Sequence, residues 1–176
     1  PTQFTDIRKA PRIYPDYVNV TVPVNIAPLT FQMDVPSDEM AVRYSFADEE
    51  IICCGAQALP DIDDWRRLTS VAQGQTIQVE TYVSNQGQWT RYKPFNIYIS
   101  KDSIDPYISY RIISPSYVSY EELTIRQRNL ENYDESVIYN NMLCTEESSG
   151  QCINCHNYQQ YNPERMQFHE RQNLGG

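Results

Sequence analysis

Apolar and polar residues alternate along most of the first two-thirds of the chain, and this period of two restricts the fold more than any other feature. Side chains of a β-strand point alternately to its two faces, so a strand with one buried face shows this pattern. The predicted strands are 18–24, 29–35, 40–46, 77–83, 89–92, 95–99 and 107–113. The sequence therefore predicts a mainly β protein.

The spacing of these strands favours an immunoglobulin-like β-sandwich over residues 13–115, because short strands joined by turns with Pro and Asp are typical of that architecture. Residues 1–12 lack periodicity and are predicted to form a leader arm. The segment 61–71 predicts one or two helical turns with Asp61 or Asp63 as the cap. Asp61, Asp63 and Asp64 also suggest a cation site, but no EF-hand ligand spacing follows, so capping is favoured.

Residues 116–176 differ in character, and we expect them to form a small helical, cysteine-containing segment. Ser119 to Glu122 resembles a capping box, and Leu123, Arg126, Gln127 and Leu130 continue at helical spacing. A second, weak helical stretch covers 163–169. The rest of the tail is polar, so we expect a metal, a cofactor or a neighbouring domain to order it.

The charge balance excludes two classes of partner. The 23 acidic residues outnumber the 14 basic ones and give a net charge of −9, which disfavours binding to nucleic acid and to anionic membranes. No apolar run reaches the roughly 18 residues of a transmembrane helix. No catalytic triad, nucleophile elbow or phosphate loop is present in the sequence, so a non-enzymatic role is favoured.

The most informative motif is Cys152-Ile153-Asn154-Cys155-His156, which has the C-x-x-C-H pattern of c-type haem attachment. In such sites two thiols bond to the porphyrin vinyl groups and the following histidine binds the iron. One turn of chain between the cysteines would set the sulfurs at the spacing of the vinyl groups. We therefore predict that Cys152, Cys155 and His156 hold a haem c.

Two other interpretations of the motif stay open. Cys144, Cys152, Cys155 and His169 would complete a four-ligand structural zinc site, with His156 left out because it directly follows a ligand. Alternatively, Cys152 and Cys155 form a disulfide or a redox-active dithiol, although the βαβ pattern of thioredoxin-like proteins is missing. Haem is the favoured interpretation.

A haem would also need a candidate for its sixth iron ligand. His169 is the first choice because it is the only histidine besides His156. Met166 and Met142 are thioether alternatives, and thioether ligation would raise the reduction potential relative to bis-imidazole ligation. Against this, His169 could simply be a solvated side chain.

The remaining cysteines and aromatic residues carry weaker signals. Cys53 and Cys54 end an apolar run, so inert core thiols are favoured over a strained vicinal disulfide, and pairing of one with Cys144 stays open. Trp65 and Trp89 could line a sugar-binding surface, but packing within the sandwich is favoured.

Several strings in the sequence resemble one protein family. They are 13–17 (IYPDY), 25–29 (NIAPL), 104–107 (IDPY), 111–113 (RII), 152–156 (CINCH), 162–166 (NPERM) and His169. Together they are similar to the N-terminal region of cell-envelope proteins of Bacteroidetes, in which this region precedes a TolB-type β-propeller. These proteins are often labelled cytochrome c biosynthesis or TolB-like proteins.

The resemblance implies a place and partners for the chain. It implies a periplasmic or outer-membrane-associated location, a β-propeller that follows residue 176 in the same polypeptide, and an oxidising setting that would allow a disulfide at Cys144. It carries over Cys152, Cys155 and His156 as the haem motif and no catalytic residue. The expected function is electron transfer or redox sensing with an unidentified redox partner. The alternative is a non-enzymatic module that binds an envelope protein or glycan and uses its cysteine tail as a zinc or disulfide clasp.

Overall fold

The chain folds mainly into β-strands, as the sequence predicts. A computed structural model describes residues 1–113, 123–143 and 151–171. Within these ranges, no helix has the length and apolar character needed to cross a membrane. Packing divides the chain into two compact units: unit 1 comprises 1–106 and 130–132, and unit 2 comprises 107–129 and 133–176.

Unit 1 contains one large sheet and a separate small sheet of two strands. Its strands are β1 (Thr5–Asp6), β2 (Ile13–Tyr14), β3 (Thr21–Val22), β4 (Gln32–Met33), β5 (Glu39–Phe46), β6 (Glu49–Gly55), β7 (Thr76–Asn85), β8 (Gln88–Arg91) and β9 (Phe95–Ile99). The large sheet has the order β1-β8-β7-β5-β6, with β9 on β7 and β3 on β9. Strands β2 and β4 pair with each other.

The alternation in the sequence explains the core of this sheet. Strands β5 and β7 run antiparallel with Val42 opposite Thr81 and Tyr44 opposite Val79, and these side chains are fully buried. On the other face Arg43 lies opposite Glu80 and donates a hydrogen bond of 3.0 Å to its carboxylate. The predicted strands at 40–46, 77–83, 89–92 and 95–99 are confirmed.

The predicted strands at 18–24 and 29–35 shrink to the two-residue strands β3 and β4. Pro23 lacks an amide hydrogen, which ends the pairing of β3 with β9 after Val22. The predicted leader arm includes β1, which pairs in parallel with β8. The Arg91 guanidinium donates to both carboxylate oxygens of Asp6 at 2.6 and 3.1 Å and secures this pairing.

The predicted helical turns are present as helix α1 (Ile62–Val71). Asp61 is the N-cap, and its carboxylate accepts hydrogen bonds from the backbone amides of Asp63 and Asp64. Capping therefore explains this acidic segment. The helix contributes Trp65 and Leu68 to the core of unit 1, where both are buried.

Unit 2 contains a three-stranded antiparallel sheet and a β-hairpin. The sheet comprises β10 (Tyr107–Ile112), β11 (Thr124–Asn129) and β12 (Glu135–Asn140), with β11 in the centre. The hairpin comprises β13 (Cys152–Tyr158) and β14 (Met166–Arg171), with a short 3-10 turn at Gln159–Tyr161. The domain limits of 13–115 and 116–176 stay predictions.

The helix predicted after Ser119 is wrong for the residues that the structure describes. Residues 124–129 form β11, while 119–122 lie outside the described residues. In this arrangement Leu123 and Ile125 are buried, and Arg126 contacts Glu135 on the neighbouring strand. An isolated helix would have had little apolar surface to bury. Strand pairing on both edges of β11 therefore overrides the local capping signal.

The weak helix predicted at 163–169 is also wrong. Residues 166–171 form β14, in which half-buried and exposed side chains alternate. Met166 and Phe168 pack on the small core of Leu123, Ile125 and Ile153. Charged and polar residues surround Met166 and Phe168 in the sequence, so this period of two gives only a weak apolar signal.

Candidate functional site

The C-x-x-C-H motif lies on β13 of the unit 2 hairpin. In the ladder between β13 and β14, Cys152 is opposite Arg171, Ile153 opposite Glu170 and Asn154 opposite His169. The side chain of Ile153 is fully buried, whereas Asn154 is exposed. The hairpin thus has one face on the core of unit 2 and one face in solvent.

A β-bulge interrupts the ladder within the motif. After Asn154 and His169 the register resumes at Asn157 opposite Gln167, which leaves Cys155 and His156 without ladder partners. Cys155 has a φ of 55°, in the left-handed region that is uncommon for residues other than glycine. Bulges of this kind release residues from regular pairing and often occur at functional sites.

The donor atoms of the motif are available to a ligand. Cys152 and Cys155 are free thiols, with Cys155 exposed and Cys152 half-buried. Within the described ranges, neither His156 nor His169 has a hydrogen bond or ion pair that would occupy its imidazole. Two free thiols followed by an unengaged histidine match the chemistry that thioether attachment and iron ligation require. The donor set therefore fits a c-type haem.

The backbone between the two cysteines is extended and does not form the single turn of chain that the motif predicts. Residues 152–154 are extended and remain in register with 171–169. Three residues at a rise of about 3.3 Å separate the Cα atoms of Cys152 and Cys155 by roughly 10 Å. The hairpin thus holds the thiols in a more open arrangement than one turn of chain.

The candidates for the sixth iron ligand occupy different parts of unit 2. His169 is exposed and lies across the ladder from Asn154, two residues from His156. Met166 is on the opposite face of β14, where it packs against the core. Met142 follows β12, and its backbone amide donates to the side chain of Asn140. The hairpin brings His156 and His169 near each other, and the choice of sixth ligand stays a prediction.

The alternative zinc site is not assembled among the residues that the structure describes. In those ranges no group of three or more His, Cys, Asp or Glu side chains could hold a metal ion. Cys144 lies outside them, so the full set of Cys144, Cys152, Cys155 and His169 stays untested.

Side-chain contacts from β10 and β12 support the hairpin, and the sequence alone did not predict them. Arg111 on β10 donates from Nη1 to the Ile153 carbonyl at 2.9 Å. The Tyr139 hydroxyl donates to the Glu170 carboxylate at 3.0 Å, and its ring lies 4.7 Å from that of Phe168. These contacts join residues 29 to 42 positions apart, so no local pattern marks them.

Asn141 is a fully buried polar residue that also supports the start of the hairpin. Its Oδ1 accepts a hydrogen bond from the Leu123 amide at 2.9 Å, and its Nδ2 donates to the Gln151 carbonyl at 3.0 Å. Gln151 directly precedes the motif, and its own side-chain oxygen is buried with no hydrogen-bond partner among the residues that the structure describes. Asn141 therefore positions the residue from which β13 begins.

A groove of about 470 Å³ opens at the turn of the hairpin, next to the bulge. Residues of both strands line it: Asn157, Tyr158, Gln159, Arg165, Met166 and Gln167. Met166 is the one residue of the predicted haem site in this lining.

The other features singled out in the sequence lie in unit 1. Cys53 is buried and Cys54 is exposed, so only Cys53 is a core thiol, and burial raises its pKa. Trp65 is fully buried, and its indole Nε1 donates to the Ile26 carbonyl at 2.9 Å. It is therefore a core residue and cannot contribute to a sugar-binding surface with Trp89.

Comparison with known proteins yields no relative. No protein-family model matches the sequence, and no curated protein or solved structure matches it.

Proposed function

We propose that this chain is a non-enzymatic redox module of the bacterial cell envelope that carries one covalently attached c-type haem. The observation that most supports this proposal is that both thiols of the C-x-x-C-H motif are free and that Cys155 and His156 lie outside the strand ladder. When bound, the haem would supply reversible one-electron chemistry. Electron transfer or redox sensing would follow from that chemistry.

Each residue of the motif has a role in this proposal. Cys152 and Cys155 would hold the porphyrin through thioether bonds, and His156 would be the proximal iron ligand. His169 and Met166 are the alternatives for the distal ligand, and methionine would give the higher reduction potential. The groove beside the bulge offers Met166, while the exposed face of β14 offers His169.

The location and partners belong to the same proposal. Attachment of c-type haem outside the cytoplasm and the resemblance to Bacteroidetes envelope proteins support a periplasmic or outer-membrane-associated site. The partners would be a redox protein or another envelope component, together with a TolB-type β-propeller of the same polypeptide. For unit 1 we infer an immunoglobulin-like sandwich, which the packing of Val42, Tyr44 and Val79 of β5 and β7 in the core supports.

A spectrum and an intact mass test the haem proposal. The chain is exported in cells that contain the haem-attachment machinery, and we expect a mass increase of one haem and sharp reduced bands of thioether-linked low-spin haem. The paired substitution Cys152→Ser and Cys155→Ser should abolish both signals. Cys54→Ser, which changes an exposed thiol in unit 1, is the control and should leave both unchanged. A colourless protein of unmodified mass under these conditions would contradict the proposal.

Variants at the distal candidates then identify the sixth ligand. His169→Ala should convert the spectrum to high spin if His169 binds the iron, whereas Met166→Ala should do so if Met166 binds it. His156→Ala should retain the haem mass through both thioether bonds but change the spin state. If neither distal variant changes the spectrum, neither residue is the sixth ligand.

The second candidate is a protein-binding module, and one exposed sheet face favours it. Ile108, Ile112 and Val137 share a face of the β10–β12 sheet by register and are 47%, 41% and 53% exposed. They share this face with Tyr110 and with the charged Arg126 and Glu135, and exposed apolar side chains rimmed by polar ones are suited to a protein partner. In this version the cysteine tail would serve as a zinc or disulfide clasp. Metal analysis of a colourless sample separates these two clasps.

A further inference from the structure

The paired hairpin sets the distance between the two thiols of the motif. The Cα–Cα separation of Cys152 and Cys155 depends on the backbone of Ile153 and Asn154, and both residues are in regular register with β14. The bulge begins only after Asn154, so it does not shorten this distance. Roughly 10 Å separates the two Cα atoms at the usual strand rise. A disulfide needs less than about 7 Å.

We propose that the β13–β14 hairpin is a conformational gate on the Cys152–Cys155 dithiol. In the closed hairpin the thiols are too far apart to join, and they form a disulfide only when residues 152–154 leave the ladder. The relation is reciprocal, because a bond that the closed hairpin excludes must itself favour the open hairpin. The pair therefore acts as a redox switch of hairpin structure. This inference goes beyond the haem proposal and concerns the chain without attached haem, in which both thiols are free.

The chemistry is thiol–disulfide exchange with a small disulfide of the glutathione class as oxidant. The Cys155 thiolate, which is the more exposed of the two, attacks one sulfur of the oxidant, and a mixed disulfide forms while the first small thiolate leaves. In the open hairpin the Cys152 thiolate then attacks the Cys155 sulfur and releases the second small thiolate. The two cysteines lose two electrons and two protons, and the oxidant becomes two thiols.

The contacts of the hairpin determine how often the gate opens. Ile153 lies between the two cysteines and is fully buried, and its carbonyl accepts the hydrogen bond from Arg111. Phe168 lies on β14, the strand that pairs with β13, and its ring packs against the ring of Tyr139 on β12. Release of residues 152–154 must break the contacts of Ile153, and Phe168 holds β14, the strand with which these residues pair, so ring closure should follow the local opening of the hairpin.

The test follows oxidation in a chain with Cys54→Ser and Cys144→Ser, which leaves the motif and the buried Cys53. The protein is incubated with oxidised glutathione, quenched with acid and measured by intact mass and peptide mapping. Under native conditions we expect a persistent mixed disulfide, mainly on Cys155. In denaturant the same adduct should close rapidly to the Cys152–Cys155 disulfide, and Cys152→Ser should prevent that closure.

Two substitutions on the hairpin sharpen the test. Phe168→Ala removes a contact that keeps the hairpin closed and should accelerate native ring closure about tenfold or more, as expected for a loss of about 1.4 kcal/mol or more in local stability. Gln167→Ala changes the adjacent exposed residue and is the matched control, with no acceleration. If Phe168→Ala does not fold, closure in wild type at denaturant concentrations below unfolding provides the same measurement.

A structural readout tests the reciprocal part. Hydrogen exchange at residues 152–154 and 169–171 should increase in the oxidised chain and return to its original rate after reduction. Ring closure in native wild type as fast as in denaturant would overturn the gate, and so would unchanged exchange in the oxidised chain. Because no haem is present in these experiments, their outcome is independent of the spectral test of the proposed function.

Discussion

Units 1 and 2 are both built from β-strands, but different interactions stabilise them. Unit 1 buries large side chains together, among them Trp65, Tyr44 and Leu68. In the described part of unit 2, the buried apolar core consists of Leu123, Ile125 and Ile153, and fully buried Asn141 adds hydrogen bonds. Unit 1 therefore depends on apolar burial, and the described part of unit 2 depends more on strand pairing and polar contacts.

This difference has a consequence for function. Apolar burial is the main source of folding free energy, so a region with a small core opens at lower free energy than one with a large core. The C-x-x-C-H motif lies in unit 2, on a hairpin whose described contacts include the burial of Ile153, the packing of Met166 and Phe168 on the small core, and a few hydrogen bonds. The proposed closure of the Cys152–Cys155 disulfide, which needs local opening of the hairpin, thus lies in the unit that we expect to open at lower free energy.

The largest expected effect is in the core of unit 1. Trp65→Ala should lower the free energy of unfolding by about 3–5 kcal/mol, because it removes a fully buried ring and leaves a cavity. It also removes the hydrogen bond to the Ile26 carbonyl and the edge contact with Tyr44, whose ring centre is 5.7 Å away. Urea unfolding followed by circular dichroism measures the loss.

Trp89→Ala is the matched control for this prediction, since Trp89 is half-buried on β8. We expect it to cost about 1 kcal/mol. Equal losses in the two variants would show that Trp65 does not anchor the core and would weaken the contrast between the units.

The next effect is in the polar support of unit 2. Asn141→Ala should lower the stability of unit 2 by about 2–4 kcal/mol, because it leaves the buried Leu123 amide and Gln151 carbonyl without partners. Hydrogen exchange resolved by residue should show faster exchange in β11 and β13 and unchanged exchange in β5 and β7.

Asn140→Ala provides the comparison, because the neighbouring Asn140 side chain accepts only an exposed hydrogen bond from the Met142 amide among the described contacts. Its expected cost is within about 1 kcal/mol. If exchange in β11 and β13 is the same in both variants, the buried polar contact does not stabilise unit 2.

The same contrast explains how much of the fold the sequence predicts. In unit 1, Val42, Tyr44 and Phe46 alternate with Arg43 and Ser45, and Asp61 has the expected position of a cap, so β5 and α1 were predictable. In unit 2, the segment 123–130 carries a helix signal, but its neighbours β10 and β12 turn it into a strand. Local signals fail where long-range pairing supplies most of the stability.

The candidate site was predictable in composition but not in shape. The residues of the motif are evident from their spacing alone, since C-x-x-C-H is a specific string. Its conformation is not, because the strand at Cys152–Asn154 depends on pairing with His169–Arg171 and on Arg111, more than 40 positions away from Ile153. The separation of the thiols, on which the gate depends, is therefore a tertiary property.

The smallest expected effect concerns an ionised contact at the surface of unit 2. The Tyr110 hydroxyl and Arg126 donate hydrogen bonds to Glu135, and they hold the pKa of this carboxyl below its ordinary value of 4.5. A carboxyl with a lowered pKa in the folded state stabilises the fold above its unfolded pKa, and this contribution is lost as the pH falls through the lower, folded pKa. Unit 2 of wild type should therefore lose stability on acidification below pH 4.5.

Glu135→Gln tests this contribution because it removes the titration and retains a similar shape. The difference in urea midpoint between wild type and Glu135→Gln should be constant near neutral pH and shrink as the pH falls below 4.5. Glu164→Gln is the matched control, because it changes a glutamate of the same unit whose carboxylate has no hydrogen bond or ion pair to a described residue. A pH-independent difference for Glu135→Gln would mean that strand pairing and the small core, and not this charged contact, hold β12 on β10 and β11. Unit 2 would then resemble unit 1 more closely than its few buried residues suggest.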